Sequence, residues 1–322
     1  MKQLSALLTA CAMLSALCAS AIAQQYPART VTFASAMAAG STTDILAREM
    51  AKLLSERMGQ PIIVDAISGG GGIVAAQKVI NAQPDGYTLL FVTNGLTSNQ
   101  AMRKKPEFDI SKDLIAISPL FEGIFGMYIN PDLPVKTLQE FVAYAKARPG
   151  KLNYGTSGIG GIVHLVNADF AMRAGLDMVH VPYKGGAEYL PATMSNQVQL
   201  SFADVTFAQP QVDAGKVRLL AVTSKQRLPQ LPNVPTFEES GFPGYTPTFW
   251  TGLYAPRGTP QPVIDRLNAE IKAIITTPEA KQRYAARGYQ TLWMTPAEAQ
   301  RRVNDEVAQF NKTIDAVKIE RQ

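Results

Sequence analysis

Beyond its first 23 residues this sequence contains no cysteine, since Cys11 and Cys18 are the only two in the chain. A region without thiols has no disulfide, no thiolate metal site and no cysteine nucleophile. Apolar runs of the roughly 20 residues that a membrane span needs are also missing there. Basic runs are missing too, so the net charge of +5 indicates tolerance of small anions rather than nucleic-acid binding. We predict no cofactor and no metal ion.

The first 23 residues have the pattern of a secretory signal peptide. Lys2 supplies the single positive charge, residues 4–19 are mostly apolar, and Ala21-Ile22-Ala23 meets the small-x-small rule for cleavage. We therefore predict cleavage after Ala23 and export from the cytoplasm. Leu8-Thr9-Ala10-Cys11 resembles a lipoprotein attachment box, but a cysteine this early leaves a very short apolar region, so lipidation is the less favoured alternative.

The remaining chain alternates predicted strands and helices, which favours α/β layers with largely parallel sheets. A length of 322 residues predicts two domains. Two apolar segments, residues 117–130 and residues 248–255, are the candidate crossings between these domains. Residues 260–276, 278–287 and 295–317 are predicted as three helices that pack on the first domain.

The first predicted strand, residues 31–35, ends in a loop of small residues that precedes a predicted helix at residues 44–58. The first turn of a helix leaves backbone N–H groups unpaired and carries partial positive charge. Small side chains let an anion approach those groups, and threonine hydroxyls add donors. The loop residues concerned are Ala38, Ala39, Gly40, Ser41, Thr42 and Thr43. A carboxylate fits such a site, with an ordinary helix cap as the alternative.

A second loop repeats this design. The predicted strand at residues 152–155 runs into a small-residue loop before a helix predicted at residues 162–172. Its small residues are Thr156, Ser157, Gly158, Gly160 and Gly161. Two such loops in different domains have the arrangement needed to close on one anion from both sides. His164, in the first turn of that helix, either reaches the ligand or packs against a neighbouring strand.

A glycine run after the second predicted strand permits a different interpretation. Gly70-x-Gly72-x-x-Ala75 has dinucleotide-binding spacing and lies before a predicted helix. The following strand, residues 87–93, ends without the acidic residue that would hold a ribose, so a tight turn that exposes backbone is favoured. Residues 94–99 are predicted as a polar loop at the end of this strand, where ligands gather in open α/β sheets.

Motifs along the mature chain resemble the Bug family, the tripartite tricarboxylate transporter solute receptors of Gram-negative bacteria. The resemblance covers residues 26–317, and its motifs include Gly40-Ser-Thr-Thr-Asp-Ile45, Pro84-Asp-Gly-Tyr-Thr-Leu89, Pro149-Gly-Lys-Leu-Asn-Tyr154 and Val179-His-Val-Pro-Tyr-Lys-Gly185. It implies a type II periplasmic binding protein fold, in which two α/β domains joined by two crossing segments close over a ligand. The implied division is residues 24–124 with 246–322 for domain 1 and residues 125–245 for domain 2.

The resemblance also implies a site, because family members hold a carboxylate between the two loops, largely through backbone N–H groups and bound waters. Carried over by position, those are the two loops described above, with Asn94, His164 and Asp204 as further wall residues. Asp44 matches an acid found almost throughout the family and is expected to order the loop rather than to bind the carboxylate directly. The usual Pro-Phe-Pro-Pro is here Ala36-Met-Ala-Ala39, which predicts a roomier pocket or a more mobile loop.

We therefore predict a monomeric periplasmic receptor without enzymatic activity, which binds an organic carboxylate and passes it to the membrane components of a tripartite tricarboxylate transporter. A dicarboxylate or an aromatic carboxylate is favoured because neither loop contains a cation and because four aromatic residues are candidates for the cleft. Those residues are Phe125, Tyr183, Phe249 and Trp250. The alternatives are a receptor that signals to a sensor kinase and an exported hydrolase that uses Ser157 or Ser41 with His164, although no Gly-x-Ser-x-Gly motif is present.

Overall fold

The computed structural model describes residues 26–37, 39–317 and 319–321. The predicted signal peptide, its cleavage after Ala23 and the lipoprotein-like cysteine lie outside the described residues, as does Ala38 of the first loop. Within the described ranges, no helix combines the length and the apolar character that crossing a membrane requires.

Strands and helices alternate along the described chain, as the sequence predicts. The strands are β1 (Val31–Ser35), β2 (Ile62–Ala66), β3 (Thr88–Thr93), β4 (Leu114–Ile129), β5 (Asn153–Thr156), β6 (Val179–Pro182), β7 (Leu200–Asp204), β8 (Arg218–Val222), β9 (Thr248–Pro256) and β10 (Tyr289–Thr291). The helices are α1 (Thr42–Met58), α2 (Ile73–Ile80), α3 (Gly95–Ala101), α4 (Ile110–Asp113), α5 (Leu138–Lys146), α6 (Ile162–Ala174), α7 (Gly186–Met194), α8 (Val205–Asp213), α9 (Gln261–Ile275), α10 (Pro278–Ala285) and α11 (Pro296–Ala316).

The strands form two sheets that share β4. The first sheet has the order β2-β1-β3-β9-β4-β10, with β1 parallel to β2 and β3 and with β9 antiparallel to β3 and β4. The second sheet has the order β6-β5-β7-β4-β8, with β5 parallel to β6 and β7. Parallel strands within a sheet end at one edge, and ligands of open α/β sheets bind at that edge.

β4 makes the first crossing between the two domains. Residues 114–124 pair with β9 in the first sheet, and residues 125–129 pair with β7 in the second sheet. β9 brings the chain back to the first sheet, where it lies between β3 and β4. The predicted fold of two α/β domains joined by two crossing segments is thus confirmed, while the predicted domain boundaries stay a proposal.

Two glycines of β4, Gly123 and Gly126, lie on either side of this change of partner because aromatic rings cross the strand there. A Cβ atom at Gly123 would lie 2.1 Å from the ring of Phe249. A Cβ atom at Gly126 would lie 2.6 Å from the hydroxyl oxygen of Tyr128. Neither position has room for a side chain, so glycine lets the rings pack directly on the backbone at the crossing.

A cluster of five aromatic rings packs beside the second sheet. Phe237 is fully buried, and its ring centroid lies 4.8 Å from that of Tyr245, 5.6 Å from that of Phe170 and 5.6 Å from that of Phe202. Phe242 covers the cluster from a partly buried position. The Tyr245 hydroxyl donates to a backbone carbonyl of α6 at 2.6 Å, so the one polar atom of these rings has a partner.

The three predicted C-terminal helices are confirmed as α9, α10 and α11, but α11 does not pack on the first domain alone. It begins with a capping box, in which the Thr295 hydroxyl and the Glu298 carboxylate each accept from the other residue's N–H group. Towards its other end, Ile314 packs with Met102 of the first domain and with Leu165 of α6. The last helix therefore contacts both domains.

The prediction of a polar loop at residues 94–99 is wrong, because the chain turns into α3 at Gly95. Gly, Thr, Ser and Asn have low intrinsic helix propensity, but tertiary packing overrides it here. Leu96, Thr97 and Ser98 are all buried, and Leu96 packs in a core with residues of β1 and β3. The short strand β10 has no counterpart among the predicted elements.

Candidate ligand-binding site

The first loop is held in shape by Asp44, whose side chain is 3% exposed. Its Oδ2 atom accepts hydrogen bonds from the Gly40 N–H at 2.9 Å and from Arg48 Nε at 2.9 Å. Ser41 caps α1 by accepting from the Asp44 N–H at 3.2 Å. These contacts give Asp44 the loop-ordering position expected from the sequence, with its charge balanced by Arg48.

The beginning of the same loop is open to solvent, and its end is buried. Ala39 and Gly40 are exposed, Ser41 and Thr42 are half-buried, and Thr43 is buried. Gly40 has a φ of +79°, and a Cβ atom there would meet no atom within 4 Å. An anion therefore has room beside the first turn of α1, where backbone N–H groups carry partial positive charge.

The second loop folds around the buried side chain of Thr156. Its Oγ1 atom donates to the carbonyl oxygen of Gly158 at 3.1 Å and lies 3.3 Å from the Gly158 N–H nitrogen, which donates to it. Gly158 and Gly160 have φ values of +116° and +79°, which favour glycine. Gly161 is the N-cap of α6 and supplies no side-chain acceptor, while Ser157 is half-buried. Unlike the first loop, where Ser41 caps α1, this loop therefore presents a helix start without a side-chain cap.

Two stacked histidines support the second loop from its buried side. The ring centroids of His164 and His180 are 3.8 Å apart, with 10° between the ring planes, and Tyr154 stacks on His180 at 5.2 Å. His164 Nδ1 accepts from the Gly160 N–H at 3.1 Å, and His180 Nε2 lies 2.6 Å from Thr156 Oγ1. His164 is 4% exposed, so in this structure it packs against the neighbouring strand β6.

Both histidines are neutral at pH 7. Burial lowers the pKa of His164 to about 3, with a further contribution from the nearby ring of His180. Burial also lowers the pKa of His180 to about 4. A neutral imidazole that accepts a hydrogen bond at Nδ1 carries its own hydrogen on Nε2, so the contact with Gly160 defines the tautomer of His164.

The first domain reaches the second loop through α3 and the residue that follows it. A Cβ atom at Gly160 would lie 2.5 Å from Cγ of Met102, which is buried. A Cβ atom at Gly95 would lie 3.8 Å from Ile162 at the start of α6. The two domains therefore touch beside the second loop, and small residues make this close approach possible.

Asp204 lies at the end of β7 and bridges the two domains. Its Oδ1 atom accepts from the Phe207 N–H at 2.9 Å, which caps α8, and its Oδ2 atom accepts from the Tyr289 hydroxyl at 3.0 Å. Burial raises the pKa of Asp204 to about 6, although these hydrogen bonds oppose the shift. The Thr206 hydroxyl also donates to the carbonyl oxygen of Arg287 in the first domain. Both contacts join the start of α8 to the segment around β10.

Asn94 is buried, and its side chain is engaged by protein groups rather than open to solvent. Its Oδ1 atom accepts from the Trp250 N–H at 3.2 Å, and its Nδ2 atom donates to Glu306 Oε1 at 3.5 Å. The same Glu306 oxygen accepts from the Trp250 indole N–H. Arg302 lies 3.6 Å from it and forms a closer ion pair with Glu122 at 2.8 Å. This polar network joins the end of β3 and the start of β9 to α11.

Glu306→Gln is expected to flatten the dependence of stability on pH. Burial raises the pKa of Glu306 to about 7, so its stabilising contribution is complete below pH 4.5 and is lost as the pH rises to about 7. The shift corresponds to at most about 3 kcal/mol, and the glutamine variant should be more stable than wild type by up to that amount at pH 8. Urea unfolding at pH 5 and pH 8 measures this difference. Asp305→Asn, at an exposed position of the same helix, is the control, and an equal effect there would contradict the assignment.

Three of the four aromatic residues expected near the ligand belong to the core instead. Phe125, Phe249 and Trp250 are buried, and only Tyr183 is half-buried. The prediction failed because β4 and β9 are covered on both faces, so their aromatic side chains fill the space between layers. The argument for an aromatic ligand loses most of its support.

The glycine run forms a tight turn, the favoured interpretation of its sequence. Residues Gly70–Gly72 make one 3₁₀ turn, and a Cβ atom at Gly71 would lie 2.0 Å from Nδ2 of Asn99. That amide donates to the Gly71 carbonyl at 3.1 Å and to the Gly95 carbonyl at 2.8 Å. The side chain of Asn99 thus occupies the place beside the glycines where a pyrophosphate would have to approach.

The described residues give no support to a serine hydrolase. His164 Nδ1 is bound to the Gly160 N–H, and Ser41 Oγ accepts from the Asp44 N–H. Within the described part of the chain, neither Ser41 nor Ser157 is hydrogen-bonded to a histidine. The nucleophile–base contact that defines such a site is not formed in this arrangement.

Residues 46–319 match the sequence model described as tripartite tricarboxylate transporter family receptor. The chain belongs to this family. The resemblance to Bug receptors seen in the sequence is therefore confirmed, and the two loops lie in a receptor for a solute rather than in a protein from an enzyme family.

Solved structures of similar receptors share its fold. Rpa4515 from R. palustris with adipate is 32% identical, with a TM-score of 0.86 over 92% of this chain and 99% of that chain. The periplasmic binding protein BugD is 30% identical, with a TM-score of 0.84 over 92% and 100% of the two chains. MatC from Rhodopseudomonas palustris with bound malate is 29% identical, with a TM-score of 0.81 over 90% and 100%. The predicted periplasmic binding protein fold is confirmed.

Proposed function

We propose that this receptor works in the periplasm, where it captures an organic dicarboxylate between its two small-residue loops and delivers it to the membrane components of a tripartite tricarboxylate transporter. It does so as a monomer and without catalysis. The observation that carries the proposal is the repeated loop design, in which β1 leads to Gly40 and α1 while β5 leads to Gly158 and α6. Each loop leads into a helix start, where backbone N–H groups bind anions, with Ala39 and Gly40 exposed in the first loop and Ser157 and Gly158 half-buried in the second.

The charges around the loops favour capture by backbone groups. Arg48 is paired with Asp44, and neither loop contains a lysine or an arginine. The Asp44 carboxylate accepts hydrogen bonds from the Gly40 N–H and from Arg48 Nε. It therefore orders the loop rather than binding a cationic ligand. A carboxylate bound here is held by helix starts and hydroxyl groups, which suits many different acids.

The apolar side chains beside the loops favour a ligand with an aliphatic body. Ile45, on the first turn of α1, is 48% exposed, and Ile159, within the second loop, is 45% exposed. Because they lie on the two loops, these side chains would cover the aliphatic body of a ligand held there. Adipate in a 32% identical neighbour is an acid of this kind. A dicarboxylate is accordingly proposed ahead of an aromatic carboxylate.

A thermal-shift screen of the purified mature chain tests this function. Adipate, malate, citrate, glutamate, benzoate and terephthalate form the panel. A ligand present at about 100 times its dissociation constant stabilises the folded state by about 2.7 kcal/mol, which raises the unfolding midpoint clearly. We expect the largest shift from an aliphatic dicarboxylate. Absence of any shift, in protein that mass spectrometry of the denatured chain shows to be free of bound acid, would contradict carboxylate capture.

Delivery to a transporter is tested in cells. Deleting the gene is expected to abolish uptake of the radiolabelled acid that the screen identifies, and wild-type receptor supplied in trans should restore it. If uptake continues while induction of catabolic genes by that acid is lost, the receptor signals to a sensor kinase and the transport proposal is wrong.

A further inference from the structure

The histidine pair is placed where it controls the shape of the second loop. His164 comes from α6, directly after the loop, and His180 comes from β6, the strand beside β5. Their rings are stacked at 3.8 Å between centroids, and each ring has one nitrogen directed at a loop residue. His164 meets the Gly160 N–H at 3.1 Å, and His180 meets Thr156 Oγ1 at 2.6 Å.

We infer that His164 and His180 act together as a positioning unit, which fixes the second loop in its anion-binding shape through the Gly160 N–H and the Thr156 hydroxyl. This inference rests on the proposed function, because the loop that the two histidines fix is the second half of the proposed carboxylate site. Neither histidine needs to touch the ligand.

Three features of the loop make it depend on this support. Gly158 and Gly160 both adopt positive φ, so the segment has little conformational preference of its own. The Gly160 amide is buried and its acceptor is the imidazole, so losing that acceptor leaves a buried donor without a partner. Thr156 Oγ1 also contacts both the N–H and the carbonyl of Gly158, so a shift of this hydroxyl displaces the loop backbone.

A matched pair of variants separates the hydrogen bond from simple packing. His164→Phe keeps a ring against His180 but removes the acceptor for the Gly160 N–H. His164→Asn loses the ring but places its amide oxygen near the position of Nδ1. If His164 were only a core residue, His164→Phe would change Gly160 exchange and ligand affinity less than His164→Asn does. If His164 positions the loop, His164→Asn changes them less.

The test uses NMR of the isotope-labelled mature chain, which contains only these two histidines, so the imidazole signals are simple to assign. We expect the Nε2–H tautomer for His164 at pH 7 and hydrogen exchange of the Gly160 amide at least about ten times faster in His164→Phe than in His164→Asn. Affinity for adipate, or for the strongest acid of the screen, should fall about tenfold in His164→Phe and stay close to wild type in His164→Asn.

A charged ring or the Nδ1–H tautomer at His164 would overturn the inference, as would equal exchange of Gly160 in both variants or wild-type affinity in His164→Phe. Exchange and tautomer are measured without ligand, so they decide the positioning role even if no acid binds. In that case the proposed function fails and the hydrogen-bonded support of the loop stands. Circular dichroism confirms folding, and His164→Asn keeps the test informative if His164→Phe does not fold.

Discussion

Gly40→Asp is expected to abolish carboxylate binding while the receptor stays folded. A Cβ atom at Gly40 would meet no atom within 4 Å, so the new side chain fits in the open space beside the first turn of α1. Its carboxylate would lie where the ligand carboxylate is proposed to bind. At an effective dielectric constant of about 20, two unit charges about 4 Å apart repel by about 4 kcal/mol. We therefore expect the dissociation constant to rise at least about a hundredfold by isothermal titration calorimetry.

Gly40→Asn is the matched control for this prediction. Gly40 has a φ of +79°, and both asparagine and aspartate tolerate the left-handed region better than other side chains. The two variants therefore share the backbone strain and nearly the same shape, and they differ in charge. Gly40→Asn should bind the ligand at least about tenfold more tightly than Gly40→Asp, a difference of about 1.4 kcal/mol. Equal affinities in the two variants would show that the anion does not bind beside α1.

Phe237→Ala is expected to destabilise the receptor strongly. Phe237 is fully buried and contacts four other rings, so its removal leaves a cavity lined by Phe170, Phe202 and Tyr245. A buried phenylalanine replaced by alanine costs about 3 to 5 kcal/mol. Urea unfolding followed by circular dichroism should show this as a lower midpoint for the variant.

Phe207→Ala provides the comparison, because Phe207 carries the same side chain at a position that is 39% exposed. Replacing this side chain by alanine should lower the free energy of unfolding by about 1 kcal/mol or less, because little of its apolar surface is buried in packed surroundings. If Phe237→Ala and Phe207→Ala lowered the stability equally, the aromatic cluster would not be the core of the second domain.

The order of strands and helices can be predicted from the sequence because the spacing of apolar residues and the positions of turn-forming residues are local features of the chain. The three C-terminal helices and the β4 crossing were found in this way, although β4 begins at Leu114 and not near residue 117. α3 was missed because its Gly, Thr, Ser and Asn residues are typical of loops, and only burial against β1 and β3 makes them helical. β10 was missed because three residues carry no usable periodicity.

Within the candidate site, the two loops can be predicted from the sequence because glycine, serine and threonine at a strand end are typical of loops. The roles of the surrounding side chains cannot be predicted in this way. Asn94 is tied to Glu306, and Asp204 to Tyr289, by hydrogen bonds between residues far apart in the chain. The stacking of His164 on His180 depends on the register of β5 and β6. Such pairings follow from topology, which a single sequence does not specify.

The place of β9 between β3 and β4 has a consequence for the order in which this chain can assemble. The whole of residues 130–247 separates β9 from β4, so the middle of the first sheet stays open until that stretch has been synthesised. Contacts between such distant segments form slowly because a long loop must close first. β5, β6 and β7 are close together in sequence and can pair before β9 arrives. We therefore expect the sheet that carries the N-terminal loop to be completed after the second sheet, because it needs β9 and β10 from the C-terminal part of the chain.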